Sequence, residues 1–325
     1  MMRFRIRLAN RAMLFFALAL AVILVFILGL AAPSSAQTDL VDDVRTQLAQ
    51  NSFAAAESQL QSYKSQHGVT LEYLEALSWM ARGAASAAQW DKAAAYAGDT
   101  RRLGEQQLAK RKLDAEPHLP IALGAAYEVL AQQLEATEKH AQAVSLLRSA
   151  LVRYGTTSIR ARLQKNLNLL ALVGQPAPAL QTAQYLGPKP VALASLKGSP
   201  VLLFFWAHWC IDCKAEGPVI ARLQKEFAPQ GLVVIGPTQL YGYAAQGADA
   251  SPDKERSYIE SVRTRYYSDL SNMPVPLSTQ NFNAYGASTT PTLVVVNRAG
   301  LVSMYHPGAL SYGELRSAIE KAVAR

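Results

Sequence analysis

Cys210 and Cys213 are the only cysteines in a chain of 325 residues, and they stand three apart. The run Val201-Leu202-Leu203-Phe204-Phe205-Trp206 just before them lacks polar alternation, as a strand covered on both faces does. The pair therefore falls where a strand gives way to a helix. In a first helical turn, residues three apart share a face, and the unpaired N–H groups and helix dipole favour an anionic thiolate. The first cysteine, the more exposed of the two, is the expected nucleophile. Cys210 would attack a substrate disulfide to form a mixed disulfide. Cys213 would then attack the Cys210 sulfur and release reduced product; the reverse sequence would oxidise a substrate.

Other uses of the pair fit less well. A purely structural crosslink closing so short a loop gains little from chain entropy. A zinc site needs two more ligands, and of His67, His118, His140, His208 and His306 only His208 is near in sequence, with no metal-like spacing among them.

The elements that must position the cysteines follow from the pattern around them. From Gly174 short apolar runs alternate with Gly and Pro. Leu232 to Ile235 and Thr292 to Val296 read as further strands, and helical stretches are expected at about 210–227, 253–267 and 310–324. Asn297-Arg298-Ala299-Gly300 fits a tight hairpin, so the last two strands are expected to be antiparallel and the sheet mixed.

The preceding part has another grain. Of 16 prolines, 13 lie after position 173, and only Pro117 and Pro120 fall between 38 and 173. Leu123, Tyr127, Leu130 and Leu134 recur at helical spacing, as do Ala143, Leu146, Leu147, Ala150, Leu151 and Tyr154, which predicts an antiparallel helix pair. A similar pair is expected at about 71–88 and 90–113. These segments loosely resemble tetratricopeptide repeats, without the full signature. Such a stack either docks a partner protein on a concave face or caps the catalytic domain and spaces it from the membrane. The expected fold class is thus α + α/β: TPR-like helix pairs over 37–173, then an α/β domain over 174–325.

The segment Trp206-Ala207-His208-Trp209-Cys210-Ile211-Asp212-Cys213-Lys214-Ala215-Glu216-Gly217-Pro218 resembles the active-site stretch of TlpA/ResA-like thioredoxins. Gly174-Gln175-Pro176-Ala177-Pro178 is similar to that family's entry segment, Leu196-Lys197-Gly198-Ser199-Pro200 to its lead into the first core strand, and Thr290-Pro291-Thr292 to its cis-proline loop. The resemblance spans 174–325. It implies a thioredoxin-like mixed sheet and a cis Thr290–Pro291 bond that faces the cysteines and presents backbone to an extended substrate; a trans proline opening the next strand is the alternative. It also implies that Glu216, one turn beyond Cys213, lies beneath the pair, tunes the thiols and accepts a proton; a surface glutamate in the helix is the lesser alternative. Trp209 is expected to shield Cys210 and contact substrate. Pro218 is read as shaping its helix.

The pattern departs from many relatives at Ile211-Asp212, where a proline is common. Asp212 would disfavour the thiolate, and a protonated His208 would act oppositely. The stretch 236–252, with Tyr241 and Tyr243, either shapes a substrate groove or is a passive insertion.

Compartment is read from residues 1–36. Arg3, Arg5, Arg7 and Arg11 precede an unbroken apolar run from Ala12 to Ala32 and then Pro33-Ser34-Ser35-Ala36, an export signal. Cleavage after Ala36 is expected, although a run of 21 residues also reaches the length of a membrane anchor. Residues 37 onward are placed outside the cytoplasm. Those four arginines supply half of the net charge of +8, and no basic run remains, so nucleic acid is not an expected partner. No Gly-rich dinucleotide motif occurs, and no cofactor is expected beyond the Cys210–Cys213 disulfide itself. The expected activity is thiol–disulfide exchange that reduces extracytoplasmic proteins, with a membrane thiol donor to recharge the pair and possible protein docking on the helices. A thiol peroxidase on the same fold is the rival enzyme, but Ala207 stands where such enzymes carry Thr or Ser. A binding protein with a vestigial redoxin part is the rival of another class.

Overall fold

A computed structural model describes residues 39–324 of the chain. The export segment expected over residues 1–36 lies outside the described residues. Among the described residues no helix is long and apolar enough to cross a membrane.

The first part is all helix: α1 (Leu40–Ala49), α2 (Phe53–His67), α3 (Leu71–Ser86), α4 (Trp90–Gln107), α5 (His118–Ala136), α6 (His140–Tyr154) and α7 (Arg160–Ala171). Three helix hairpins repeat one turn. Asn51, Ala88 and Glu138 sit at the centre of three-residue connections with φ of 57°, 54° and 59°. In each, the backbone N–H of the following residue returns to a carbonyl in the last turn of the first helix, Ser52 to Gln47, Gln89 to Ala84 and Lys139 to Leu134. Five residues beyond each left-handed position stands a fully buried alanine, Ala56, Ala93 or Ala143, whose small side chain lets the second helix of the pair approach closely. The two predicted pairs are α3/α4 and α5/α6. The first pair, α1/α2, and the lone α7 were not anticipated, and α4 ends at Gln107 rather than near 113, where a short 3₁₀ turn (Leu113–Ala115) follows.

The second part is a mixed α/β sheet. Strands β2 (Val201–Phe205), β3 (Val233–Ile235), β5 (Thr292–Val296) and β6 (Val302–Pro307) order as β3-β2-β5-β6. The β2/β3 pair is parallel; β2/β5 and β5/β6 are antiparallel, as the hairpin at 297–300 requires. A separate two-stranded ribbon joins β1 (Tyr185–Leu186) to β4 (Val275–Pro276). Helices α8 (Ile211–Phe227), α9 (Pro252–Tyr266), α10 (Thr279–Tyr285) and α11 (Tyr312–Val323) complete the set.

Strand β2 is buried throughout, and its alternation divides the core. Leu202 and Phe204 pack with Ile220 and Leu223 of α8, Ile259 and Val262 of α9 and Leu315 and Ile319 of α11. Val201, Leu203 and Phe205 pack on the opposite face with Phe282 and Tyr285 of α10 and with Leu172, the C-cap of α7. The last helix of the stack therefore serves in a layer of the α/β domain. Its other side stays with the stack, where Leu163 is buried among residues of α3, α5 and α6 and Arg162 and Lys165 bond Glu128 of α5 at 2.7 and 3.2 Å. Gly286, at φ 60°, lies so near α7 that a Cβ there would come within 2.2 Å of the Lys165 backbone nitrogen.

Candidate active site

Phe205, the last residue of β2, is in register with Thr292, the first of β5. The segment running on to Cys210 and the loop carrying Thr290-Pro291 consequently emerge at the same end of the sheet. The Thr290–Pro291 peptide bond is cis, and Thr290 Oγ1 is buried without a hydrogen-bond partner.

Cys210 caps α8 in extended backbone conformation, its sulfur accepting the Cys213 N–H at 3.0 Å. The two cysteines are joined as a disulfide with Cα atoms 5.3 Å apart. Cys210 is 4 % exposed and Cys213 0 %, so an incoming sulfur reaches Cys210 first. Trp209, 46 % exposed, stands beside the pair as an open apolar surface. Trp206 is held from the neighbouring loop: its N–H donates to Pro237 O, its indole to Gly236 O at 2.9 Å, and its carbonyl accepts from the Thr238 hydroxyl at 2.8 Å.

Glu216 is 3 % exposed and one turn beyond Cys213 on α8, which continues unbroken through Pro218. Burial pushes its carboxyl up to about 7, opposed only by a hydrogen bond with the Leu310 backbone, and Oε1 has no partner. The next residue, Gly217, leaves no room for a side chain, since a Cβ there would lie 2.9 Å from the Tyr267 ring. Tyr267 is itself buried, its hydroxyl unpartnered, and packs edge-on against Trp206.

The effect of His208 on the pair turns on its protonation. His208 is fully buried, ringed edge-on by Tyr241, Tyr243 and Tyr258, and burial drives its pKa down against the opposing pull of Glu255, 3.2 Å from Nε2. A neutral imidazole would give no cation beside Cys210 to offset Asp212. In that state Nε2–H donates to Glu255 and Nδ1 is left without a partner. The Glu255 carboxylate also accepts the backbone N–H groups of Tyr241 and Gly242. Sequence reasoning passed over Glu255, 47 residues from His208, because nothing in local spacing connects them. The same carboxylate pins the 236–252 loop, whose Tyr241 stacks edge-on with Trp209. Among the described residues no group of three His, Cys, Asp or Glu side chains is arranged to hold a metal.

This arrangement, a cysteine pair at a helix start and a cis-proline loop at the same end of a mixed sheet, defines a thioredoxin-like domain. Residues 173–239 match the model of the AhpC/TSA family. The thioredoxin-like protein YneN of Bacillus subtilis is 28 % identical over 148 residues, covering 45 % of this chain and 78 % of YneN. The thiol-disulfide oxidoreductase ResA of Bacillus subtilis is 30 % identical over 125 residues, 38 % of this chain and 61 % of ResA. The thiol:disulfide interchange protein DsbE of Pseudomonas fluorescens biotype C is 38 % identical over 65 residues, 20 % of this chain and 34 % of DsbE. A crystal structure of a putative DsbE from Chlorobium tepidum aligns with 46 % of this chain and 97 % of its own, at 24 % identity and a TM-score of 0.36.

Proposed function

We propose that this chain is an extracytoplasmic thiol–disulfide oxidoreductase that reduces disulfides in partner proteins. The observation that carries the reading is the Cys210–Cys213 disulfide at the start of α8, set between exposed Trp209 and buried Glu216. In the reduced chain the Cys210 thiolate attacks one sulfur of a substrate disulfide, and the other sulfur leaves as a thiolate. The Cys213 thiol passes its proton to Glu216 and attacks Cys210 Sγ. The second substrate thiol is released and the Cys210–Cys213 disulfide re-forms, so two electrons have passed to the substrate. A carboxyl near 7 can take and return that proton at neutral pH. Thr290 and Pro291 offer backbone to the substrate strand, and Trp209 covers the mixed disulfide. The cysteines carry the electrons, so no cofactor is invoked, and a dithiol donor at the membrane recharges them. The extracytoplasmic placement rests on the export signal at residues 1–36.

Thiol alkylation of the full chain in defined redox buffers tests the direction. A potential near or below roughly −270 mV is expected for a reductant; one near roughly −120 mV would identify an oxidant that installs disulfides. The Cys213→Ser chain should accumulate a mixed disulfide through Cys210, visible by mass spectrometry and released by dithiothreitol. Failure to trap any such species would remove Cys210 as the nucleophile.

A further inference from the structure

A groove of about 410 Å³ opens beside Trp209. One wall belongs to the α/β domain, through Trp209, Tyr241, Phe282 and Thr290. The other comes from the helical stack: Ser158, in the turn between α6 and α7, and Ala161, in the first turn of α7. That second wall is built to stay in place. Ser158 donates both its backbone N–H and its hydroxyl to the carboxylate of Asp114, 44 residues earlier. The Arg160 guanidinium holds the Gly155 carbonyl at 2.9 Å, and the close approach of Gly286 to Lys165 sets α7 against the α/β domain. None of the residues lining the groove carries a charge.

We propose that the helical half selects the substrate: the groove takes an extended stretch of polypeptide next to the target disulfide, with uncharged flanking side chains, and Ala161 is a specificity-determining position. The inference rests on the thiol–disulfide reading above. A charged side chain entering this space loses hydration and finds no opposite charge, whereas backbone amides and small or aromatic side chains meet the rings of Trp209, Tyr241 and Phe282 and the amide and hydroxyl groups between them. The fixed second wall admits a strand and turns away a broad folded surface. An α/β domain without the stack would lack this wall and the preference it sets.

The test uses the prereduced full chain in single turnover with three short peptides, each holding one disulfide and differing only in flanks of Ala/Ser, Glu or Lys; hydroxyethyl disulfide serves as a small reference. For the parent chain the second-order rate constant should be about tenfold higher with the uncharged flanks than with either charged set. Ala161→Arg should raise the ratio of Glu-flanked to uncharged rates about fivefold, and Ala161→Glu should do the same for Lys flanks, the scale of a partly exposed ion pair. Ratios between peptides do not depend on the fraction of variant that is folded. Equal rates for the three peptides in the parent, or unmoved ratios in both variants, would overturn the inference while leaving the oxidoreductase reading intact. A parent that reduces neither the peptides nor hydroxyethyl disulfide would overturn that reading and the inference together.

Discussion

Glu128 on α5 and Glu216 on α8 are both carboxylates drawn into an apolar surround, one in each half of the chain. Burial raises the pKa of each. At Glu128 the neighbouring Arg162 and Lys165 more than offset it, and the carboxyl is held below its ordinary value. At Glu216 no cation answers, and the group is pushed up to about 7. The first is a fastening that ties α7 to α5. On the proposed mechanism the second exchanges a proton with the cysteine pair. The contrast shows how the same residue type, partly or fully withdrawn from water, serves structure or chemistry according to whether a counter-charge is supplied.

The largest expected effect is kinetic. Glu216→Gln should slow disulfide reduction about a hundredfold near pH 7 and remove the inflection near 7 from the pH–rate profile, as loss of a general acid–base group does. Stopped-flow rates from pH 5.5 to 9 measure this, and an unchanged profile would put Glu216 in the same structural class as Glu128. Next, Glu128→Ala should lower stability by about 2 kcal/mol in urea unfolding, because it strands Arg162 and Lys165 in a partly buried site.

Stability should also respond to pH with opposite sign at the two sites. The depressed Glu128 contributes stability above its ordinary pKa and loses it as pH falls through the lower folded value. The raised Glu216 contributes fully below about 4.5 and loses that contribution as pH rises through about 7. Glu216→Gln should therefore leave stability nearly unchanged at pH 4.5 and raise it at pH 8 by about 1–2 kcal/mol, within a ceiling of roughly 3 kcal/mol for such a shift. A variant less stable than the parent at pH 8 would break the comparison. The smallest effect is expected at the exposed Arg102–Asp99 pair on α4, where Arg102→Ala should change stability by less than about 0.5 kcal/mol.

Much of the α/β half is legible in the sequence because its signals are local. The unbroken apolar strand, the spacing of Cys210 and Cys213 and the Asn297–Gly300 hairpin each announce themselves within a few residues. The helical half is less so. The turns at Asn51, Ala88 and Glu138 share a backbone conformation but no residue type, so the repeat is hidden from composition, and the α1/α2 pair buries few large side chains, chiefly Leu40, Val41, Val44 and Leu60. The setting of His208 was not legible either, because burial and the distant Glu255 act on it rather than anything local in the sequence. The groove wall at Ser158 and Ala161 could not be read at all, since it arises from the docking of two halves.

The double allegiance of α7 bears on how the chain reaches its native state. Residues 160–171 finish one core but also supply a layer to a sheet whose strands β5 and β6 end at Pro307. A growing chain can close its helical stack early, as N-terminal units generally do. The face of α7 meant for the sheet then stays bare until the last strands have been made. The stack thus becomes a template on which the later half condenses, and heating or denaturant should melt the two halves in one cooperative transition.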